Sequence, residues 1–302
     1  MQSRVEALLA PSTVTLGTSG LGDRAGAVAT ARALLTSQHR LIDTSNAYDE
    51  GRSEQVIGRA IADVGGLPDG VQVISKADRD LATGVFDRDR VLRSFEESTS
   101  RLGLDTLPLY QLHDPYTITF EEAMAPGGAV QGLVELREQG AVGAIGVAAG
   151  PSSLIRQYVE TDAFDAVLSH NRYTLVDSSA ADLFEAARQR NMVVFNAAPY
   201  GGGLLAAADR AGADASYAYR PAPEDLLDWV HRASEICSRH GVPLAAVALA
   251  FSTQADAVSS TVVGARSPAR LAELDALLTT EVPAQVWPEL EDLGPAPTPL
   301  TD

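Results

Sequence analysis

The sequence predicts an α/β fold, a single (β/α)8 TIM barrel domain over residues 1–302, and three observations carry that expectation. Eight short β-branched runs alternate with amphipathic helical stretches along nearly the whole chain. A length of 302 residues with 45% hydrophobic composition suffices to bury one large core. The first strand candidate is followed by LGTSGLGD, which is Gly-rich but lacks the G-x-G-x-x-G turn that would announce a doubly wound open sheet.

The elements follow in order. The first strand, 14–16, leads to a second at 41–43 (LID) and the amphipathic helix 53–62. The third strand, 71–75, precedes the helix 89–101, and the fourth, 106–112, precedes the helix 131–139. Strands at 144–147 and 166–169 come next, the latter followed by the helix 179–190. The seventh strand, 193–196, is separated from the eighth, 260–263, by far more chain than one crossover needs. That stretch holds GGGLLAAADRAGADASYAYRPAPE and two helical segments, the first at 224–240, so a lid or a tolerated insertion is expected there. The helix 268–277 closes the pattern.

The formal net charge of −17 excludes nucleic acid and anionic membrane surfaces as partner classes, and any anionic cofactor must be captured by local positive charge. The apolar runs are shorter than the ~20 residues of a transmembrane helix. MQSRVEALLAPST has neither the apolar stretch nor the cleavage site of a signal peptide. The lone cysteine, Cys237, sits in a helical pattern and reads as packing. These features predict a reduced, cytoplasmic protein, a monomer or small homo-oligomer. The five histidines are scattered without metal-ligand spacing, so no metal is expected.

Among 23 basic residues a single lysine, Lys76, stands against 22 arginines. An ammonium fits a tight buried site and can be tuned there, as a guanidinium cannot. Asp43, Lys76 and His113 fall at the C-terminal ends of the second, third and fourth strands, in LIDTSNAY, VISKAD and LYQLHDP. Adjacent parallel strands lie about 4.8 Å apart, so the three side chains can converge in one pocket, capped by the loop that carries Tyr48. Such a cluster suits proton transfer at a carbonyl or hydroxyl oxygen. A neighbouring ammonium lowers a phenol's pKa, an aspartate holds the ammonium charged, and a histidine can hydrogen-bond the substrate oxygen. Each part also has an ordinary explanation. Asp43 could cap a helix, as Thr44 or Ser45 could, and His113 could be a loop residue satisfied by Asp114.

LIDTSNAYDEGRSEQVIGRAI resembles the aldo/keto reductase signature, VISKAD its lysine strand, and SRLGLDTLPLYQLHDP the stretch ending in its histidine. The resemblance implies an NAD(P)-dependent oxidoreductase acting on a small aldehyde, ketone or aldose. Tyr48 would then be the general acid in reduction, Lys76 and Asp43 would tune it, and His113 would orient the carbonyl. SHNRYTLVD and FNAAPYGGGLLA resemble a narrower branch of sugar dehydrogenases that oxidise C1 of free aldoses such as L-fucose, L-galactose or D-threo-aldoses. The chain departs from the commoner pattern in three places. GVAAG replaces a Ser–Asn pair that grips the nicotinamide carboxamide, His170 replaces a glutamine, and Ala197 replaces a stacking aromatic ring. Asn171 is the candidate substitute, with Asp43 and His170 beside the cofactor.

Cofactor recognition is expected in VVGARSPARLAEL. Ser267 reads as an N-cap and Pro268 as the first helical residue, so free N–H groups and the helix dipole face a phosphate. Arg266 and Arg270 would clamp the 2′-phosphate of NADP, with solvated helix residues as the ordinary alternative. Gly264 stands where the family often has a lysine, which leaves NAD open. Two other readings remain: a Schiff-base lyase using Lys76, and a non-catalytic dinucleotide-binding barrel, motivated by Ala148, Ala149, His170 and Ala197.

Overall fold

A computed structural model of the chain describes residues 9, 12–206, 215–298 and 300. Eight parallel strands close in the order β1 (Val14–Gly17), β10 (Ser260–Gly264), β7 (Val193–Ala197), β6 (Ala166–His170), β5 (Val142–Ala149), β4 (Leu107–His113), β3 (Gln72–Ala77) and β2 (Leu41–Asp43). Closure is direct, because Gly17 of β1 pairs with Asp43 on one side and with Gly264 on the other. The remaining strands, β8 (Ser216–Tyr217) and β9 (Arg220–Pro221), form a separate antiparallel hairpin.

All eight expected strands are present, and several run further than expected. β3 extends to Ala77 and β4 to His113, because the ladder continues through Lys76 opposite Gln111 and His113 opposite Ala148. Lys76 and His113 therefore sit on regular strand backbone.

The helices are α1 (Ala27–Leu35), α2 (Arg52–Asp63), α3 (Arg88–Leu102), α4 (Phe120–Met124), α5 (Ala129–Glu138), α6 (Ser152–Val159), α7 (Ala181–Gln189), α8 (Glu224–Arg239), α9 (Leu244–Thr253), α10 (Pro268–Leu278) and α11 (Val286–Glu291). Of these, α1, α4, α6 and α11 add to the set read from the sequence. Local chemistry sets their ends. The Asp87 carboxylate accepts from the Arg90 N–H at 2.8 Å to start α3, and Gly103 closes it with φ of 68°. Thr119 and Glu122 form a capping box at α4. Among the described residues no helix is long and apolar enough to cross a membrane.

The strand pleat decides which residues point inward. Leu41, Ile74, Leu109, Ala144, Ala166, Leu168, Val193, Phe195 and Val262 come from seven different strands yet form one buried cluster, so they fill the barrel interior. The intervening Ile42, Val73, Tyr110, Leu112, Val167 and Val194 pack outward in the larger core beneath the helices. With both faces covered, the strands read as apolar runs.

The chain after β7 makes a 3-10 turn at Gly201–Ala206 and returns through the β8–β9 hairpin. Tyr217 of β8 is fully buried and its phenol donates to the Asn171 carbonyl at 2.8 Å, which fastens the hairpin to the end of β6. The middle of the expected Gly/Ala-rich loop, residues 207–214, and most of MQSRVEALLAPST lie outside the described residues.

Candidate active site

Each expected site residue on a strand lies an even number of positions beyond an interior core residue. Asp43 follows Leu41, Lys76 follows Ile74, His113 follows Leu109, His170 follows Leu168 and Gly264 follows Val262. The same pleat that plugs the barrel therefore aims these positions inward at its C-terminal mouth, the face where barrel enzymes work.

Lys76 is the centre of the first cluster. Its Nζ donates to Asp43 Oδ2 at 2.7 Å, to the Thr44 carbonyl at 2.8 Å and to the Tyr48 hydroxyl at 3.2 Å. The Lys76 side chain is 1% exposed and that of Asp43 3%, so the pair is satisfied away from water. Burial pulls the ammonium's pKa down, but Asp43 and the Tyr48 oxygen outweigh it and hold the group above its ordinary value. For Tyr48, burial pushes the phenol's pKa up and outweighs the lowering by Lys76. Lys76 acts on the phenol in the expected direction, but desolvation, which the sequence does not reveal, is larger, so Lys76 limits a rise and does not bring the phenol below its ordinary pKa.

His113 forms a second cluster. Its ring stands edge-on to Tyr48, with centroids 5.6 Å apart. Its Nδ1 lies 2.7 Å from Asp78 Oδ1, and the other oxygen of Asp78 accepts from Ser45 Oγ at 2.5 Å and from the Ala47 N–H at 2.9 Å. Burial lowers the imidazole's pKa, yet the Asp78 charge raises it more, and it stands above its ordinary value. Asp78 is correspondingly held below the carboxylate range: burial pushes it up, and His113, Ser45 and Ala47 pull it down further. His113 is therefore no loop residue satisfied only by Asp114.

The loop carrying Tyr48 is clamped from below. Asn46 Nδ2 donates to the Ser94 carbonyl at 3.0 Å, its Oδ1 accepts from Arg90 at 3.0 Å, and its carbonyl accepts from Arg101 at 3.1 Å. Arg101 also meets Glu54 at 3.2 Å, and Glu54 accepts from Ser75 Oγ on β3 at 2.6 Å. A turn with left-handed Asp49 and Glu50, held partly by Asp49 accepting from the Gly22 N–H at 2.7 Å, is fixed by these bonds.

Two further groups lie along the rim. Asp114, left-handed at φ of 43°, places its carboxylate 3.8 Å from His113 Nε2 and 3.9 Å from His170 Nε2. Burial raises its pKa, but the two imidazoles and Tyr116 bring it down to about 2. Asn171 Nδ2 lies 3.0 Å from His170 Nδ1, while Asn171 Oδ1 is buried with no hydrogen-bond partner among the described residues. Across β10, Gly264 opens to empty space, and Ser267 Oγ caps α10 by accepting from the Arg270 N–H at 3.2 Å, with Pro268 in the first turn. Arg266 is exposed and reaches over the turn at Gly20. Arg270 is also exposed but is engaged by Glu273 at 2.5 Å, so the two arginines do not form a closed pair.

Asp43, Tyr48, Lys76 and His113 thus come together, His170 and Asn171 join them through Asp114, and residues 264–270 form a separate patch on the β10 side. Sequence reasoning missed Asp78, although its position two residues past Lys76 puts it on the same inward alternation. It also missed Asn46, Arg90 and Arg101, whose roles have no local signal.

The model of the aldo/keto reductase family matches residues 13–294. The chain is 34% identical over 215 residues to a D-threo-aldose 1-dehydrogenase from Pseudomonas sp, covering 71% of this chain and 64% of that protein. It is 31% identical over 220 residues to a pyridoxal 4-dehydrogenase from Microbacterium luteolum, covering 70% of this chain and again 64% of the relative. The match therefore spans less than two thirds of either relative's length. A glycerol dehydrogenase structure from Gluconobacter oxydans shares the fold, with a TM-score of 0.74 at 21% identity over 96% of this chain and 94% of that one. With a lysine–tyrosine–aspartate cluster at the mouth of a closed parallel barrel and a family match over nearly its whole length, the chain belongs to the aldo/keto reductase family.

Proposed function

We propose that this protein is a nicotinamide-dependent oxidoreductase that interconverts a hydroxylated aldehyde or sugar lactol with its oxidised or reduced partner. The observation that carries the reading is the Lys76 ammonium, bonded at once to Asp43 and the Tyr48 hydroxyl inside the barrel mouth.

The residues present fit such a cofactor. Asn171 Oδ1 is a buried acceptor without a donor among the described residues, as a carboxamide N–H requires, and the Ser267-capped helix start with Arg266 and Arg270 suits a phosphate, NADP before NAD. The nicotinamide, when bound, exchanges hydride with the reacting carbon. The protein's own task is the accompanying proton. In reduction the Tyr48 phenol gives its proton to the substrate oxygen, and in oxidation the same oxygen receives one. Lys76 steadies the phenolate left behind, and Asp43 keeps Lys76 charged and aimed. His113 fixes the substrate oxygen from the β4 side.

Two relatives support the substrate class: an aldose and pyridoxal each combine an aldehyde carbon with hydroxyl groups. The lyase reading is disfavoured, because a Schiff base needs a neutral amine and Lys76 is held charged by two oxygens. A turnover screen of aldoses with NAD and NADP, alongside aromatic and aliphatic aldehydes with NADPH, tests the proposal. Steady turnover of a hydroxylated aldehyde is expected. Tight cofactor binding without turnover across that panel would point instead to a non-catalytic barrel, and borohydride trapping of substrate on Lys76 to a lyase.

A further inference from the structure

We propose that Asp78 is a positioning residue that fixes the protonation geometry of His113, so that His113 donates to the substrate oxygen only as an imidazolium and accepts from a substrate hydroxyl only when neutral. The inference rests on the reading of His113 as the group that meets the substrate oxygen.

An ionised carboxylate only accepts hydrogen bonds, so the imidazole nitrogen 2.7 Å from Asp78 Oδ1 must carry hydrogen. Ser45 Oγ, 3.1 Å from the same nitrogen, spends its proton on the other oxygen of Asp78. With hydrogen on Nδ1, the neutral ring has a bare Nε2, which accepts and cannot donate. Nε2 is the nitrogen not engaged by Asp78, and Asp114 lies 3.8 Å from it. Donation from Nε2 to a carbonyl oxygen therefore needs a second proton on the ring. A substrate hydroxyl, by contrast, is received by the neutral form.

Asp78 is built for this role. It is 3% exposed, and it joins the end of β3 to β4 through His113 and to the Tyr48 loop through Ser45 and the Ala47 N–H. One carboxylate thus positions His113 and the peptide next to Tyr48 together. The charged and titratable groups facing His113 are Lys76 of β3 and Asp78 just past its end, Tyr48 from the loop after β2, and Asp114 just past the end of β4, with His170 of β6 behind Asp114. Asp78 and Asp114 favour the imidazolium and Lys76 opposes it.

The consequence is a pair of opposed pH limbs. With the holoenzyme, kcat/KM for reduction should fall as pH rises through the His113 pKa, and kcat/KM for oxidation should rise through the same value. Asp78→Asn removes the charge and keeps the shape. It should move both limbs to lower pH by about one unit and lower kcat/KM by about tenfold or more. Asp78→Glu should restore the limbs towards their original position. Limbs that stay in place in Asp78→Asn, with activity lowered equally at every pH, would overturn the proposal by reducing Asp78 to a structural part.

A second measurement needs no turnover and leaves Asp78 in place. 15N NMR of the wild-type protein, with the His113 signal identified by its loss in His113→Asn, reads the neutral tautomer directly. Hydrogen on Nδ1 is expected; hydrogen on Nε2 would overturn the inference. Because this result does not depend on catalysis, it separates failure of the Asp78 proposal from failure of the oxidoreductase reading.

Discussion

Tyr48 shows how two opposing effects meet on one atom. Burial favours its neutral phenol and Lys76 favours the phenolate, with burial ahead, so the hydroxyl keeps its proton, as the proposed role in reduction requires. Tyr48→Phe removes only the hydroxyl. It should keep cofactor affinity near that of the wild type, read by quenching of NADPH fluorescence, and lower turnover by about 10²–10⁴-fold. Loss of cofactor binding with chemistry intact would contradict the assignment. Arg270 is a different case, because Glu273 already engages it and cofactor contact requires exchanging that partner. If it does exchange, Arg270→Ala weakens NADPH by about tenfold, the loss of one charge-assisted contact, and leaves NADH nearly unchanged. Equal effects on both would favour NAD as the natural cofactor.

At the scale of elements, the position of Tyr48 depends on how α2 and α3 pack. An ideal Cβ at Gly58 of α2 would lie 1.9 Å from the Arg101 carbonyl oxygen near the end of α3. No side-chain rotation relieves a clash with backbone, so Gly58→Ala must push the helices apart. Arg101 also donates to the Asn46 carbonyl, two residues before Tyr48. The substitution is expected to cost about 2–3 kcal/mol in urea denaturation and to lower turnover with it. A variant with the wild-type midpoint would show that the helices do not set this spacing. The strands were legible for a simple reason: apolar runs buried on both faces leave little choice of element. The short helices α4 and α11 were not, since five or six residues give too little periodicity to read.

For the whole molecule, the buried couple of Asp78 and His113 makes stability depend on pH from two sides. His113 is raised above its unfolded value of about 6.5, so its contribution is full below that pH and is lost as pH rises through its folded pKa. Asp78 and Asp114 are lowered below about 3.9, so theirs is full above that pH and is lost on acidification, for Asp114 down to about 2. Their combined contribution is greatest between about pH 4 and 6.5. Urea midpoints measured from acid to alkaline pH should decline above neutrality in the wild type and decline less in Asp78→Asn. Identical pH dependence in both would remove the couple from the stability account.

By itself the sequence determined the barrel, its eight strands and the residue types at the mouth. Strand period, turn chemistry and a solitary lysine are properties of short stretches, and they survive in one dimension. Only the tertiary structure decided that Asp78 meets His113 and that Arg90 and Arg101 hold the Tyr48 loop. It also set the sign of the Tyr48 shift. Hydrogen-bond partners and desolvation depend on what other strands bring alongside, and closing the barrel is what brings β2, β3 and β4 to one mouth.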